Sequence, residues 1–298
     1  MIRKAFTMLE LVFVIVIMGI VASIGAEIIA NLYENYIKTR AINRLQSQTE
    51  LALDQIAKRL QYRIKDSARA IDISNPASPV YTPLSDANAS FTILEWIGIS
   101  NESFLEGWSG FIDLNSNDTN ATARTLKTSG SDLNTTNNII KALTYDDVSL
   151  DKSTASNKVP ALIFKGKSSY NVNNYYSSGV NNHTLKIERD GTNNDIFKIP
   201  NDDNVSDNEI FEQYWLSHSA FAIVPNGSLS DFNLTLHYNY QPWESEDYNS
   251  TTGVTIVEHA STFRFTQIGE TIRVKLCVHD NNQSGDYDFS FCKERVIY

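Results

Sequence analysis

The chain is short of cysteine, of positive charge and of any catalytic signature. It holds two Cys and seven Pro in 298 residues, and its 25 Lys and Arg face 35 Asp and Glu, a formal net charge of −10 at pI about 5.0. That acidic balance removes non-specific attraction to nucleic acid, which is therefore not an expected partner. The five histidines, His183, His218, His237, His259 and His279, show no H-E-x-x-H spacing. Gly107-Trp108-Ser109-Gly110 lacks the register of a nucleophile elbow, and no phosphate-cradling glycine loop precedes a helix. These gaps argue against an enzyme. Both cysteines, Cys277 and Cys292, fall in the last 22 residues, and outside the cytoplasm such a close pair normally forms a disulfide. Closing a loop of about 15 residues stabilises by about 3 kcal/mol in the chain-entropy account.

The first thirty residues carry the strongest signal. Met1-Ile2-Arg3-Lys4-Ala5 runs into Phe6-Thr7-Met8-Leu9-Glu10, and an apolar run then continues to about Ala30, with Glu10 its only charge before Glu27. Charge abuts the apolar segment and no small-residue cleavage site follows it, which is the wrong shape for a secretory signal peptide. About 20 apolar residues cross a bilayer as one helix, so residues 6–30 are long enough. Arg3 and Lys4 would keep the N-terminal end cytoplasmic and send everything after Ala30 outward. A carboxylate inside such a span costs about 2.5–3.5 kcal/mol on insertion scales, so Glu10 is expected either to be paired or to snorkel to the headgroups.

Lys4-Ala5-Phe6-Thr7-Met8-Leu9-Glu10 resembles the class III leader of type IV pilins and type II secretion pseudopilins. The resemblance implies a leader of residues 1–5, cut by a membrane aspartyl peptidase between Ala5 and Phe6, and methylation of the new amino terminus at Phe6. It makes Glu10 the acidic residue of the mature helix, positioned to pair with the Phe6 amine of its own or a neighbouring subunit and so set the stagger between packed subunits. Ala5 stands where the family usually has Gly, which implies slower processing. Glu27 stands where major pilins commonly carry a kinking Pro, which implies a straighter helix.

From Leu32 to about Ile71 there is no Pro or Gly, and Leu45, Ala52, Ile56, Leu60, Ile64 and Ala68 mark one apolar stripe flanked by Lys58, Arg59, Arg63 and Lys65. The expectation is an amphipathic continuation of the helix over residues 31–73, stopped by Ser74-Asn75-Pro76. From 74 to 298 the pattern turns to period two. Strands are expected at 91–99, 110–114, 160–165, 184–188, 220–224, 233–240, 254–257, 261–266, 271–278 and 289–296, with a hairpin turn at Gln267–Glu270. Ile272, Val274, Leu276 and Val278 share one face of the penultimate strand and Cys277 lies on the other, so the cysteine bridge belongs on the solvent side of adjacent strands. The stretches 116–138 and 168–182, rich in Asn, Ser and Thr, read as exposed loops. The fold class is α+β: a long N-terminal helix, half membrane-spanning and half amphipathic, on a large mostly antiparallel head.

The C-terminal run from Val257-Glu258 through Phe263-Arg264-Phe265 to Gly269-Glu270-Thr271-Ile272-Arg273-Val274 resembles J-type pseudopilins and W-type minor pilins. Together the two resemblances imply a pilin-like fold and a minor structural subunit that initiates, caps or tips a fibre. Its implied partners are other pilin or pseudopilin subunits, the prepilin peptidase and the inner-membrane assembly platform. The implied location is single-pass in a bacterial inner membrane with the head in the periplasm, and then in a pilus or pseudopilus reaching the cell surface. A tip adhesin or substrate receptor using the head is the alternative, and a tethered periplasmic enzyme the third.

Two further patterns concern ligands. Eleven Asn lie in Asn-x-Ser/Thr, and seven of them, Asn88, Asn120, Asn134, Asn204, Asn233, Asn249 and Asn282, also have Asp two residues upstream. The extended pattern resembles the acceptor of bacterial N-oligosaccharyltransferases and implies N-glycan; turn chemistry of Asp, Asn and Ser is the competing account. Asp280, Asn282, Ser284, Asp286 and Asp288, with Gly285 between them, alternate like the oxygen ligands of a calcium loop, although Phe291 occupies the place of the closing Glu. Calcium is thus the one cofactor to consider, a solvated turn the alternative, and glycan on Asn282 would compete with it.

Overall fold

Leu45, Thr49, Ala52, Leu53, Ile56, Ala57 and Leu60 recur every three or four residues, the spacing that keeps one helix face against a core. In the computed structural model, which describes residues 7–151, 158–167, 171–280 and 289–298, they are the buried face of a single helix, α1 (Met8–Gln61). Burying the four large ones, Leu45, Leu53, Ile56 and Leu60, contributes about 6–12 kcal/mol at about 1.5–3 kcal/mol each.

The helix stops at Gln61 rather than near residue 73 as expected. No Gly or Pro ends it. Tyr62 O accepts Ile99 N at 2.7 Å and Ile64 N donates to Ile97 O at 2.9 Å, so the chain leaves the helix by pairing with another segment. Lys65–Ser67 then make a 3-10 turn. Ile64 and Ala68 are buried as the stripe required, but beyond the helix end. Arg63, expected on the flank of the stripe, is buried too: its guanidinium donates to Leu60 O at 2.8 Å and to Glu270 O at 2.5 Å. Its positive charge thus sits against the C-terminal end of the helix, where a cation suits the dipole.

The strands β1 (Arg69–Asp72), β2 (Val80–Pro83) and β3 (Ile93–Ile97) follow. Residues 98–219 leave to build a lobe with two short helices, α2 (Asn101–Phe104) and α3 (Leu133–Thr144). Its strands are β4 (Thr125–Lys127), β5 (Ala161–Phe164), β6 (Thr184–Lys186), β7 (Glu188–Arg189), β8 (Ile196–Lys198) and β9 (Tyr214–Ser217). The chain returns as β10 (Ala220–Gly227), β11 (Phe232–Tyr240), β12 (Val254–Ile268), β13 (Thr271–His279) and β14 (Ser290–Ile297). The main sheet is antiparallel throughout, in the order β14-β13-β12-β11-β10-β3-β1-β2, and the lobe holds two small sheets, β4-β8-β7 and β6-β5-β9.

The amphipathic half of α1 lies across β12, β13 and β14, where Ile272, Val274, Leu276, Val278 and Ile297 meet its stripe. Lys293 Nζ reaches Glu50 at 2.5 Å, and Arg295 pairs with Asp54. The lobe covers the opposite face further along. Consequently β3 is buried at every position: Leu94 and Trp96 face the α1 side, Ile93 and Ile97 the lobe side. Strand β13 alternates instead, with Arg273 and Lys275 exposed.

Several expected loops and strands come out differently. Residues 116–138 contain β4 and the start of α3, anchored by fully buried Leu126 and Leu133, and Asp132 caps α3 through bonds from Asn134 N and Thr135 N. In the second loop, Val172–Tyr175 form a 3-10 turn with Tyr175 and Tyr176 buried, while residues 168–170 lie outside the described residues. Residues 110–114 make only an isolated bridge, Phe111 to Gln213, and the two strands expected at 254–257 and 261–266 are one long strand, β12, with a bulge.

Where lobe, sheet and helix end meet, charge is buried. Arg69 and Glu95 face each other across β1 and β3, with Nε to Oε2 at 2.5 Å. Tyr240 OH donates to Glu95 Oε1 at 2.7 Å, and Arg69 donates to Asn173 Oδ1 at 3.0 Å. The guanidinium is held between the rings of Tyr176 and Tyr81, 3.3 and 4.2 Å from their centroids. Burial works against the Arg69 charge, but Glu95 and Tyr176 outweigh it and hold the guanidinium pKa up. At the lobe hinge, burial lowers the His218 pKa to about 4, so a neutral ring faces Ser100 Oγ at 2.9 Å.

Removing one partner of a buried pair leaves the other uncompensated, so Glu95→Ala is expected to destabilise the protein by about 3–5 kcal/mol in a denaturant titration followed by tryptophan fluorescence. Glu95→Gln, which keeps the bond from Tyr240, is expected to cost less.

Candidate functional site

Among the described residues the head buries no side chain in the first part of α1. At 1.5 Å per residue the helix is about 80 Å long. Between Thr7 and Arg40 no side chain is buried, and the first to be so is Ala41. Leu11, Phe13, Ile15, Val16, Ile17, Met18 and Ile20 all stand exposed on this arm, which is long and apolar enough to cross a membrane. The helix runs unbroken through Glu27. Gly19, Ser23, Ala26 and Ala30 follow one another at intervals of four, three and four, and a Cβ at Gly19 would meet nothing within 4 Å. Such a face of small side chains permits close approach of another helix.

Glu10 sits in the first turn. Its Oε2 accepts Thr7 N at 3.0 Å and Thr7 Oγ1 at 2.9 Å, while Glu10 N donates to Thr7 Oγ1 at 3.3 Å. This reciprocal capping box satisfies two helix-start donors and gives the carboxylate local partners at the positive end of the helix dipole. The signal was present as Thr7-Met8-Leu9-Glu10, the S/T-x-x-E pattern. Ala5 and Phe6, the expected processing site, lie outside the described residues.

The expected disulfide forms. Cys277 and Cys292 are register partners on β13 and β14, 4.0 Å apart at Cα. Of the calcium candidates, Asn282, Ser284, Asp286 and Asp288 lie outside the described residues; Asp280 follows β13, and its N donates to Phe289 O at 3.0 Å. Asn282 is equally outside as a glycan candidate.

The other six glycan candidates divide. Asn88, Asn120, Asn134, Asn204 and Asn249 are exposed, whereas Asn233 is half-buried inside β11, its Oδ1 accepting His259 N at 3.3 Å. Turn chemistry is present as well, since Asp132 and Asp247 accept from the N–H of Asn134 and Asn249 respectively.

Periodicity gave no sign of two clusters. The Arg69–Glu95 box is one. The other is Asp231, His259 and His279, which the β10–β11 turn and the neighbouring strands β12 and β13 bring together. A search for ligands spaced along one helix or loop is blind to residues that only sheet register brings together.

No family model, curated protein or solved structure matches this chain.

If the exposed sequons receive glycan, mass spectrometry of native protein is expected to yield glycopeptides from Asn88, Asn120, Asn134, Asn204 or Asn249 and an unmodified Asn233 peptide. An intact mass equal to the unmodified chain would reject the modification.

Proposed function

We propose that this protein is a minor pilin or pseudopilin-type subunit that works mechanically, initiating, capping or tipping a fibre through its N-terminal helix. The observation that carries the reading is the bare arm of α1: a helix with no buried side chain from Met8 to Arg40, apolar as far as about Ala30, continuous with a segment fastened to a large head. An arm of this kind is stable only in lipid or among other apolar helices. The leader-like residues 1–10 favour the second destination after the first. In this account the peptidase cuts between Ala5 and Phe6 in the membrane. The new amine would belong to Phe6, next in sequence to Thr7, whose backbone N–H and hydroxyl donate to the Glu10 carboxylate. Glu10 would exchange its own cap for the amine of a neighbour, and the exchange would set the axial step between subunits.

A second reading has its own support. The lobe leaves after Ile97 and returns at Ala220, two residues that pair directly, with Gly98 N donating to Ser219 O at 3.1 Å. The strand pairing of the main sheet therefore runs without interruption past residues 98–219, which fits an attachment or substrate-recognition module carried on an assembly subunit.

Sequencing of the fibre-borne protein is expected to begin at Phe6. Glu10→Ala is expected to cut incorporation at least roughly tenfold, the factor that 1.4 kcal/mol represents. Met1 retained in the exported form, or incorporation unchanged by Glu10→Ala, would reject the assembly reading. Replacing residues 99–218 with a short Gly-Ser link separates the two readings: fibre assembly with attachment lost supports the recognition module, and normal attachment rejects it.

A further inference from the structure

Asp231 closes the turn between β10 and β11, His259 lies within β12, and His279 ends β13. The turn is pinned: Asp231 O accepts Ser228 N at 2.9 Å and Ser228 Oγ at 3.0 Å, and Asp231 N donates to Ser228 Oγ at 3.1 Å. One carboxylate oxygen of Asp231 and one ring nitrogen of each histidine lie within 4.8 Å of one another. Asp231 Oδ1 is 3.1 Å from His259 Nδ1 and 3.8 Å from His279 Nε2. Donors held about 2.0–2.1 Å from a tetrahedral zinc ion stand roughly 3.4 Å apart, so these separations need only small side-chain adjustment.

Two details show a position specified beyond the needs of the sheet. Phe232 pairs with Ala260 and Leu234 with Val257, so Glu258 and His259 together oppose Asn233 in a bulge. His259 takes φ +56° there, left-handed backbone that costs a β-carbon residue about 1–2 kcal/mol and that glycine adopts freely. A bulge of this kind re-aims a side chain, and this one turns an imidazole toward Asp231 and His279. The His279 ring turns its Nε2 toward Asp231, while its buried Nδ1 has no hydrogen-bond partner among the described residues.

We propose that Asp231, His259 and His279 bind one divalent transition-metal cation, of the zinc, nickel or copper class, with solvent completing its coordination. Two imidazoles and one carboxylate suit such an ion, whereas calcium and magnesium require oxygen donors almost exclusively. All three ligands are only partly buried, which leaves room for water and a path for the ion. Bound there, the cation clips β11, β12 and β13 together at one end of the main sheet. The site is independent of whether the chain enters a fibre.

The test uses full-length protein in detergent, stripped with chelator and titrated with zinc chloride at neutral pH, by calorimetry and by thermal unfolding. We expect one equivalent to bind and Tm to rise by roughly 5–10 °C at a hundredfold excess over Kd. Asp231→Asn and His279→Ala are expected to abolish most of that rise. His259→Gly guards against mere misfolding, because glycine suits the left-handed bulge: Tm without metal should hold or increase while the zinc-dependent rise disappears. Zinc binding that is absent, or that persists unchanged in His259→Gly and His279→Ala, would overturn the proposal, the latter placing the ion elsewhere. A calcium-dependent rise lost in His259→Gly would overturn the assignment of metal class.

Discussion

The docking of residues 45–60 of α1 onto β12, β13 and β14 is the contact on which the rest of the molecule depends. A helix with Met8 to Ala30 exposed cannot be satisfied by this chain alone, and only its far half has a protein surface to rest on. That half carries the apolar stripe, the ion pairs from Glu50 and Asp54 to β14, and the Arg63 clamp that joins the last helical turn to the β12–β13 hairpin at Glu270. Through it the orientation of the bare arm is tied to the sheet.

The sheet serves two neighbours at once. Its β12–β14 end receives the helix and its β1, β3 and β10 strands receive the lobe, which is why β3 reads as an apolar run broken only by Glu95. That exception is the charged end of the box formed with Arg69, Tyr240, Tyr176 and Tyr81. A buried ion pair contributes little net stability against an apolar replacement, but it tolerates few alternative alignments. Its location where lobe, sheet and helix exit converge suits a device that fixes how those three parts meet.

Much of the main sheet was legible because one of its faces is wet. Strands β11 to β14 alternate, and Gly269 with φ +59° occupies the tight turn that Gln267–Glu270 announced. The stripe from Leu45 to Leu60 was equally plain. Its overextension to residue 73 has a physical cause: Ile64 and Ala68 keep helical spacing while tertiary hydrogen bonds from residues 97–99 draw the backbone out of the helix. The lobe was least legible. Leu126 and Leu133 anchor a core inside a stretch whose many Asn, Ser and Thr serve as caps and turns, so polarity masked order. At the helix start, Thr7 and Glu10 are close in sequence and readable as a pair. Asp231, His259 and His279 span 49 positions and become neighbours only through register and a bulge.

The crosslink between Cys277 and Cys292 takes on a mechanical meaning from its location. Tension pulling α1 away from the head would load β14, to which the Glu50 and Asp54 ion pairs tie the helix and which is an edge strand paired on one side. Without a covalent tie such a strand could be peeled off one hydrogen bond at a time. With it, β14 and β13 must move as a unit, and the load spreads into the interior of the sheet before anything gives way.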